Sequence, residues 1–407
     1  MDDVEGTIPI LVDTTLLDDA EGLLDSAVEL RRQVHAHPEL GLDLPHTQDL
    51  VLDALDGLGF EISLGRRVSS VVAVLDTGTD GPTTLLRGDM DALPLHEDTE
   101  LEFASEVDGA MHACGHDAHV AMLVGAARLL ARRSEELAGR VLFMFQPGEE
   151  GHGGARVMLD EGLLVKHGAV DRAFALHTTP TVPSGVIASK GGTLLASADA
   201  FSVVITGKGG HASMPQDAID PVPAACEVVL ALQTMVTRRI PAFDPAVVTI
   251  AHISAGTTSN VIPETALLEG TVRAVSERSR SLALEGVQRV AEQVAAAHLC
   301  SATVNWSAMP YPVTVNSEAA ADQALSVAKG LLGEQRTHRM ETPMMGAEDW
   351  SYVLQQVPGA MAFLGTAPPG VDSPAPNHSN RMLLDESAMR HGIAIHAAMA
   401  LAAPSRL

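Results

Sequence analysis

The chain has 407 residues, enough for two or three domains, and 46% of them are hydrophobic, enough for a sizeable core. Its formal net charge of −26 argues against nucleic acid or an anionic membrane as a partner, and aromatics at 3% leave few stacking platforms for bases. Three cysteines far apart in sequence form no disulfide framework, and the acidic start Met-Asp-Asp-Val-Glu-Gly is unlike a signal peptide, so a cytoplasmic protein is expected.

The first dozen residues have no clear period and read as a loose lead-in. Apolar residues then recur at helical spacing from Asp19 to His35, and Pro38 ends that helix. Thr47 is placed to cap a second helix running to Leu58, with Gly59 as its stop. Strand-like runs follow at Glu61–Leu64, Ser70–Leu75 and Thr83–Arg87, the last leading into Gly-Asp89-Met-Asp91. Val120–Arg132 reads as a buried helix. Val141–Phe145 is an apolar strand that delivers Glu149 and Glu150 just past its end, and Arg172–Leu176 delivers His177. Polar groups thus gather after strand C-termini, where open α/β sheets bind ligands.

From Ala198 to Trp306 the pattern changes to β-α-β-β-α-β, the order of a ferredoxin-like unit. Its strands are Ala198–Thr206, Val247–Ile253, Ala266–Ala274 and Thr303–Trp306; its helices are Glu227–Met235 and Ser281–His298. The α/β pattern then resumes with helices Ser317–Leu332, Asp349–Gln355 and Asp385–Leu401 around strand Ala360–Gly365. The expected architecture is therefore a mixed, mostly parallel sheet with flanking helices, built from 1–193 and 312–407, with 194–311 as an inserted α+β domain.

Chemistry concentrates between Met111 and Val120, where His112, Cys114, His116, Asp117 and His119 all offer metal-capable side chains. A free cysteine is usually a small buried hydrophobe, but among imidazoles and carboxylates thiolate is favoured. With the separate Glu149-Glu150 pair, this points to divalent-metal hydrolysis. The bland alternatives are a surface acidic turn for Glu149-Glu150, a packed thiol or a nucleophile for Cys114, and a surface ion pair for Arg273. His112 and His119 read as structural groups or groups behind the ligands, His35 and His37 as packing or capping groups. Asp89 and Asp91 are read as turn formers or as carboxylates orienting ligands from behind. Gly207-Lys-Gly-Gly-His211 lacks the spacing of a phosphate loop.

Taken in order, His35-Ala-His37-Pro-Glu39, Arg87-Gly-Asp89-Met-Asp91, His112-Ala-Cys114-Gly-His116-Asp117, Gln146-Pro-Gly-Glu149-Glu150, His177, Gly207-Lys-Gly-Gly-His211, Ser259-Asn260, Arg273, Glu348-Asp349 and His378 resemble the M20 metallopeptidase family, in its amidohydrolase branch. The resemblance implies a di-metal aminopeptidase-like fold and two divalent ions per subunit, zinc or manganese with cobalt or nickel as alternatives. It implies Cys114, His116, Glu150, His177 and His378 as ligands, with Cys114 bridging, and Glu149 as general base. His211, which in relatives serves the partner subunit's site, is implied as catalytic, Asn260 and Arg273 as substrate-holding residues, and a homodimer through the inserted domain. The implied substrate is a small N-acyl or N-aroyl amino acid. A dipeptidase or aminopeptidase, a catalytically silent binding homologue and a metal-free cysteine hydrolase are the competing readings.

Overall fold

The computed structural model describes residues 12–402, so the lead-in expected over the first dozen residues lies almost wholly outside the described residues. Two compact units emerge: one made of residues up to Leu194, Val315–Thr342 and those from Tyr352 onward, the other of Leu195–Thr314 and Pro343–Ser351. The sequence pattern had left 343–351 with the first unit. It groups with the second because Met344 bridges to Leu195 and its carbonyl accepts the Ala196 N–H.

In the first unit, α1 (Thr15–Ala36) buries the stripe Leu16, Ala20, Leu23, Ala27, Leu30 and Val34. Helix α2 (Pro45–Leu55) begins differently from the expectation. Proline occupies its first turn, where no intrahelical N–H bond is needed. Thr47 is no cap: it is buried, and both its backbone N–H and its hydroxyl donate to the Glu39 carboxylate. Strands β1 (Glu61–Leu64), β2 (Val71–Asp76), β3 (Thr83–Asp89), β4 (Arg140–Gln146) and β5 (Arg172–Thr179) follow in chain order.

They join an eight-stranded mixed sheet. From one edge the order is β1, β2, β4, β3, β5, then Gly359–Gly365, Ile187–Ser189 and Thr337–Arg339. β3 runs parallel to both β4 and β5, and Gly359–Gly365 runs parallel to β5. These central strands are buried along nearly their whole length; β4 and Gly359–Gly365 read as apolar runs for that reason, whereas β3 also buries Arg87 and Asp89. Helix α3 (His116–Arg132) is buried nearly all round, packed between α1 and the final helix, Met389–Leu401.

The second unit is an antiparallel four-stranded sheet ordered Ala246–Ala255, Thr265–Ala274, Asp199–Thr206, Ser301–Trp306. Helices Pro221–Arg239 and Glu277–Ala297 pack against it. Asp220 caps the first of these by accepting the Val222 N–H at 2.9 Å, and Ser276 caps the second by accepting the Ser279 N–H at 3.0 Å. The first helix starts six residues before the predicted Glu227, because Pro221 at its first position suits a helix N-terminus.

Candidate metal centre

Three parallel strands end at one rim of the first unit's sheet. β3 stops at Asp89, β4 stops just before Pro147-Gly148-Glu149-Glu150, and β5 carries His177 in its last turn of pleat rather than beyond it. Gly115 turns the chain from Cys114 into α3 with φ +85°, and a Cβ there would lie 2.2 Å from Thr178 Oγ1. Only glycine fits, so the turn that separates Cys114 from His116 is fixed by composition.

Of the residues proposed from sequence, Cys114, His116, Glu149, Glu150, His177 and His378 come together at this rim. Two donor triads share one sulfur. Cys114, His116 and His177 form the first, and Cys114, Glu150 and His378 the second, the donor atoms within each lying no more than 4.8 Å apart. Cys114 Sγ is 3.5 Å from His177 Nε2, and Glu150 Oε1 is 3.2 Å from His378 Nε2 and 4.0 Å from His116 Nε2. Glu149 forms a further group with His116 and Glu150.

The donors are aimed. His116 Nδ1 donates to the Asp91 carbonyl at 2.8 Å and His177 Nδ1 to the Thr178 carbonyl at 2.8 Å, which leaves the Nε2 lone pair of each ring facing inward. His116 Nε2 is fully buried and has no hydrogen-bond partner among the described residues. A buried imidazole nitrogen facing a sulfur and carboxylates is what a divalent cation needs, so the residues present fit such an ion. Burial pushes the Cys114 thiol up, but His177 and His116 outweigh it and bring it down to about 6. Hydrogen bonding to Cys114 and Glu150 raises the His378 imidazole to about 10, another mark of a strongly anionic pocket.

Asp91 stands behind the pair of glutamates. Its two carboxylate oxygens accept the backbone N–H groups of Glu149 and Glu150, each at 2.9 Å. Asp89 is held by Arg87 at 2.5 Å and by His119 Nδ1 at 2.5 Å, and His119 Nε2 in turn accepts the Thr178 N–H at 2.8 Å. Burial works against ionisation of Asp89, and Arg87, His116 and His119 keep it a carboxylate well below the usual range. A second anchor was not visible in the sequence. Asp117, at the start of α3, accepts from Arg31 Nε and His35 Nδ1, both at 2.8 Å. The buried His35 is thus more than the packing group its place at a helix end suggested.

In the second unit, the two-residue pairing of Gly210–His211 with Val261–Ile262 sets His211 beside the Asn260 loop, whose carbonyl accepts the Ala212 N–H. His211 is exposed. Arg273 is half-buried on Thr265–Ala274 and pairs with no carboxylate among the described residues; the acid that influences it, Asp199, is held by Arg280, whose Nε and Nη2 donate to its two carboxylate oxygens.

Fold and centre together define a metal-dependent amide hydrolase. The chain belongs to peptidase family M20/M25/M40, whose model matches residues 85–402. It is 41% identical to N-acetylcysteine deacetylase of Bacillus subtilis over 340 residues, covering 83% of this chain and 88% of that protein. It is 36% identical to thermostable carboxypeptidase 1 of Saccharolobus solfataricus over 389 residues, covering 95% and 97%. Among solved structures it is similar to a B. subtilis protein described as a dinuclear metal-binding peptidase of the M20 family, with TM-score 0.79, 35% identity and coverage of 94% and 98%.

Proposed function

We propose that the protein hydrolyses N-acyl or N-aroyl amino acids to a carboxylic acid and a free amino acid. The observation that carries this reading is the single sulfur common to two donor triads, the arrangement a bridged pair of ions requires. Cys114, His116, Glu150, His177 and His378 would hold two divalent ions, which supply the Lewis acidity that amide hydrolysis needs at neutral pH. The thiolate favours zinc, while the imidazoles and carboxylate also accept manganese, cobalt or nickel. Glu149 is the base: its carboxylate takes the proton of the attacking water and passes it to the leaving amine. Asp91 fixes the backbone beneath it, and Asp89 holds His119. In the second unit, Arg273 and Asn260 take the substrate carboxylate, a task for which an arginine fork with no carboxylate of its own is suited. His211 takes the carbonyl oxygen.

The first unit is the catalytic domain in this reading, and the second is the dimerisation domain of a homodimer. Ala246–Ala255 is an edge strand with exposed Val247 and Ile253, an unpaired ladder of the kind that seeks a partner strand. Cys226 and Cys300 are free in addition to Cys114, which suits a cytoplasmic setting. Among the described residues no helix is long and apolar enough to cross a membrane.

The test is chelation followed by reconstitution. EDTA should abolish hydrolysis of hippurate and N-acetyl amino acids, and zinc, manganese or cobalt should restore it. Activity that survives complete metal removal overturns the reading. A second reading, cleavage of unblocked peptides, draws on the relative named as a carboxypeptidase. Unblocked dipeptides assayed beside the acylated substrates separate the two.

A further inference from the structure

The loop that carries His378 also carries a residue to which the reading above gives no task. Asn377 is half-buried, and its side-chain nitrogen donates to the Thr178 carbonyl at 3.0 Å and to the Cys114 carbonyl at 3.3 Å. Two carbonyl oxygens decide which end of the amide is which, because the amide oxygen would be repelled from both. With the nitrogen so fixed, it stands 3.8 Å from Cys114 Sγ. Its Oδ1 is buried and has no partner among the described residues. Leaving such an oxygen unpaired costs about 1–3 kcal/mol, so the donor end holds the side chain in place. The loop is pinned a second time next door. His378 takes the left-handed conformation, φ +69°, and its N–H donates to the Ala113 carbonyl at 2.7 Å. A non-glycine residue persists there only when its surroundings over-determine it.

We propose that Asn377 is a positioning residue for the metal centre that acts on sulfur: one of its two N–H groups holds the Thr178 carbonyl, and the other is shared between the Cys114 carbonyl and the Cys114 thiolate. The inference rests on the reading of Cys114 as a metal ligand. A donor on a ligand sulfur withdraws charge from its lone pairs, and hydrogen bonds of this kind tune thiolate-bound metals. The thiolate then passes less charge to the ions it binds, which keeps them stronger Lewis acids for the carbonyl. Leucine nearly matches asparagine in shape and has no donor, so it separates this role from simple space-filling.

The experiment uses the full chain loaded with cobalt(II), which reports sulfur ligation as a near-ultraviolet sulfur-to-cobalt charge-transfer band. Asn377→Leu should move that band to longer wavelength, because lone pairs freed of the donor lie higher. It should also raise the cobalt Kd roughly 10-fold, the scale of losing a group that orients a ligand. A band that stays at the wild-type wavelength overturns the proposal even if the Kd rises, since that outcome describes a loop clip and nothing more. Wild-type protein that binds cobalt without the band overturns both this inference and the assignment of Cys114 on which it rests. Asn377→Ala, which removes the donor without asking the site to accept a branched side chain, reads the same band should the leucine variant not fold.

Discussion

Glu149 and Glu150 are the same residue one peptide bond apart, and their surroundings divide them. Glu150 points its carboxylate at His378 and His116. Glu149 is 6% exposed and borders the His116–Glu150 group. Exchanging the carboxylate of Glu149 for an amide removes the proposed proton acceptor and keeps the volume. Glu149→Gln should therefore retain the two proposed metal ions, measured by elemental analysis, and lose roughly 10²- to 10⁴-fold in kcat. Full kcat in a metal-replete variant would remove Glu149 from the mechanism. The donor cluster was legible because its chemistry is scarce: a cysteine among imidazoles has few uses. What stands behind it was legible only in part: Asp89 and Asp91 were expected there as one of two readings, but their partners were not. Asp91 reaches backbone groups 58 and 59 residues away, and Arg31 reaches Asp117 across 86 residues. No local pattern encodes such a pairing, and Asn377 beside His378 carries no signal beyond adjacency.

At the scale of elements, periodicity located the long helices and the buried strands, and erred where one residue type plays two parts. Proline ends a helix from within and starts one from its first position, and both Pro45 and Pro221 do the latter. The final helix, Met389–Leu401, carries a further consequence. Burial drives the His396 imidazole down to about 3 and that of His391 down to about 4. Both rings are neutral in the fold, whereas the unfolded chain takes up a proton at each near pH 6.5. The folded state binds fewer protons, so this stability is complete above pH 6.5 and is lost as pH falls toward 4 and then 3. Replacing His396 by leucine should leave urea stability at pH 8 nearly unchanged. At pH 4.5 it should raise stability by roughly 2–3 kcal/mol over the native chain. Equal effects at both pH values would contradict the buried neutral ring.

For the molecule as a whole, the alternation of strands and helices revealed both architectures, including the β-α-β-β-α-β order of the second unit. The sheet's far edge was beyond reach. Ile187–Ser189 and Thr337–Arg339 have three residues each, too few to show a period; Ile187–Ser189 is a strand because Gly359–Gly365 supplies a neighbour, and Thr337–Arg339 because Ile187–Ser189 does. The same reasoning leaves 343–351 unassignable from sequence, since its ties to the second unit, Met344 to Leu195 and Glu348 to Thr314, span 149 and 34 residues. The exposed edge of the second unit yields an assembly prediction. Ile253 is 52% exposed on Ala246–Ala255, and a lysine there would place charge on the strand that is proposed to pair. Ile253→Lys should convert a dimer to a monomer in light scattering, with circular dichroism unchanged. A native chain that is monomeric at micromolar concentration would refute the dimer.

The placement of Gly359–Gly365 between β5 and Ile187–Ser189 also sets an order of events during biosynthesis. When the ribosome has made the chain as far as residue 200, β5 has no neighbour on one side and presents open backbone groups there. The strand that covers it emerges only after every residue of the second unit has been synthesised, and His378 emerges later still. The nascent chain therefore carries an incomplete sheet until Gly359–Gly365 has been made, with the open side of β5 exposed in the meantime.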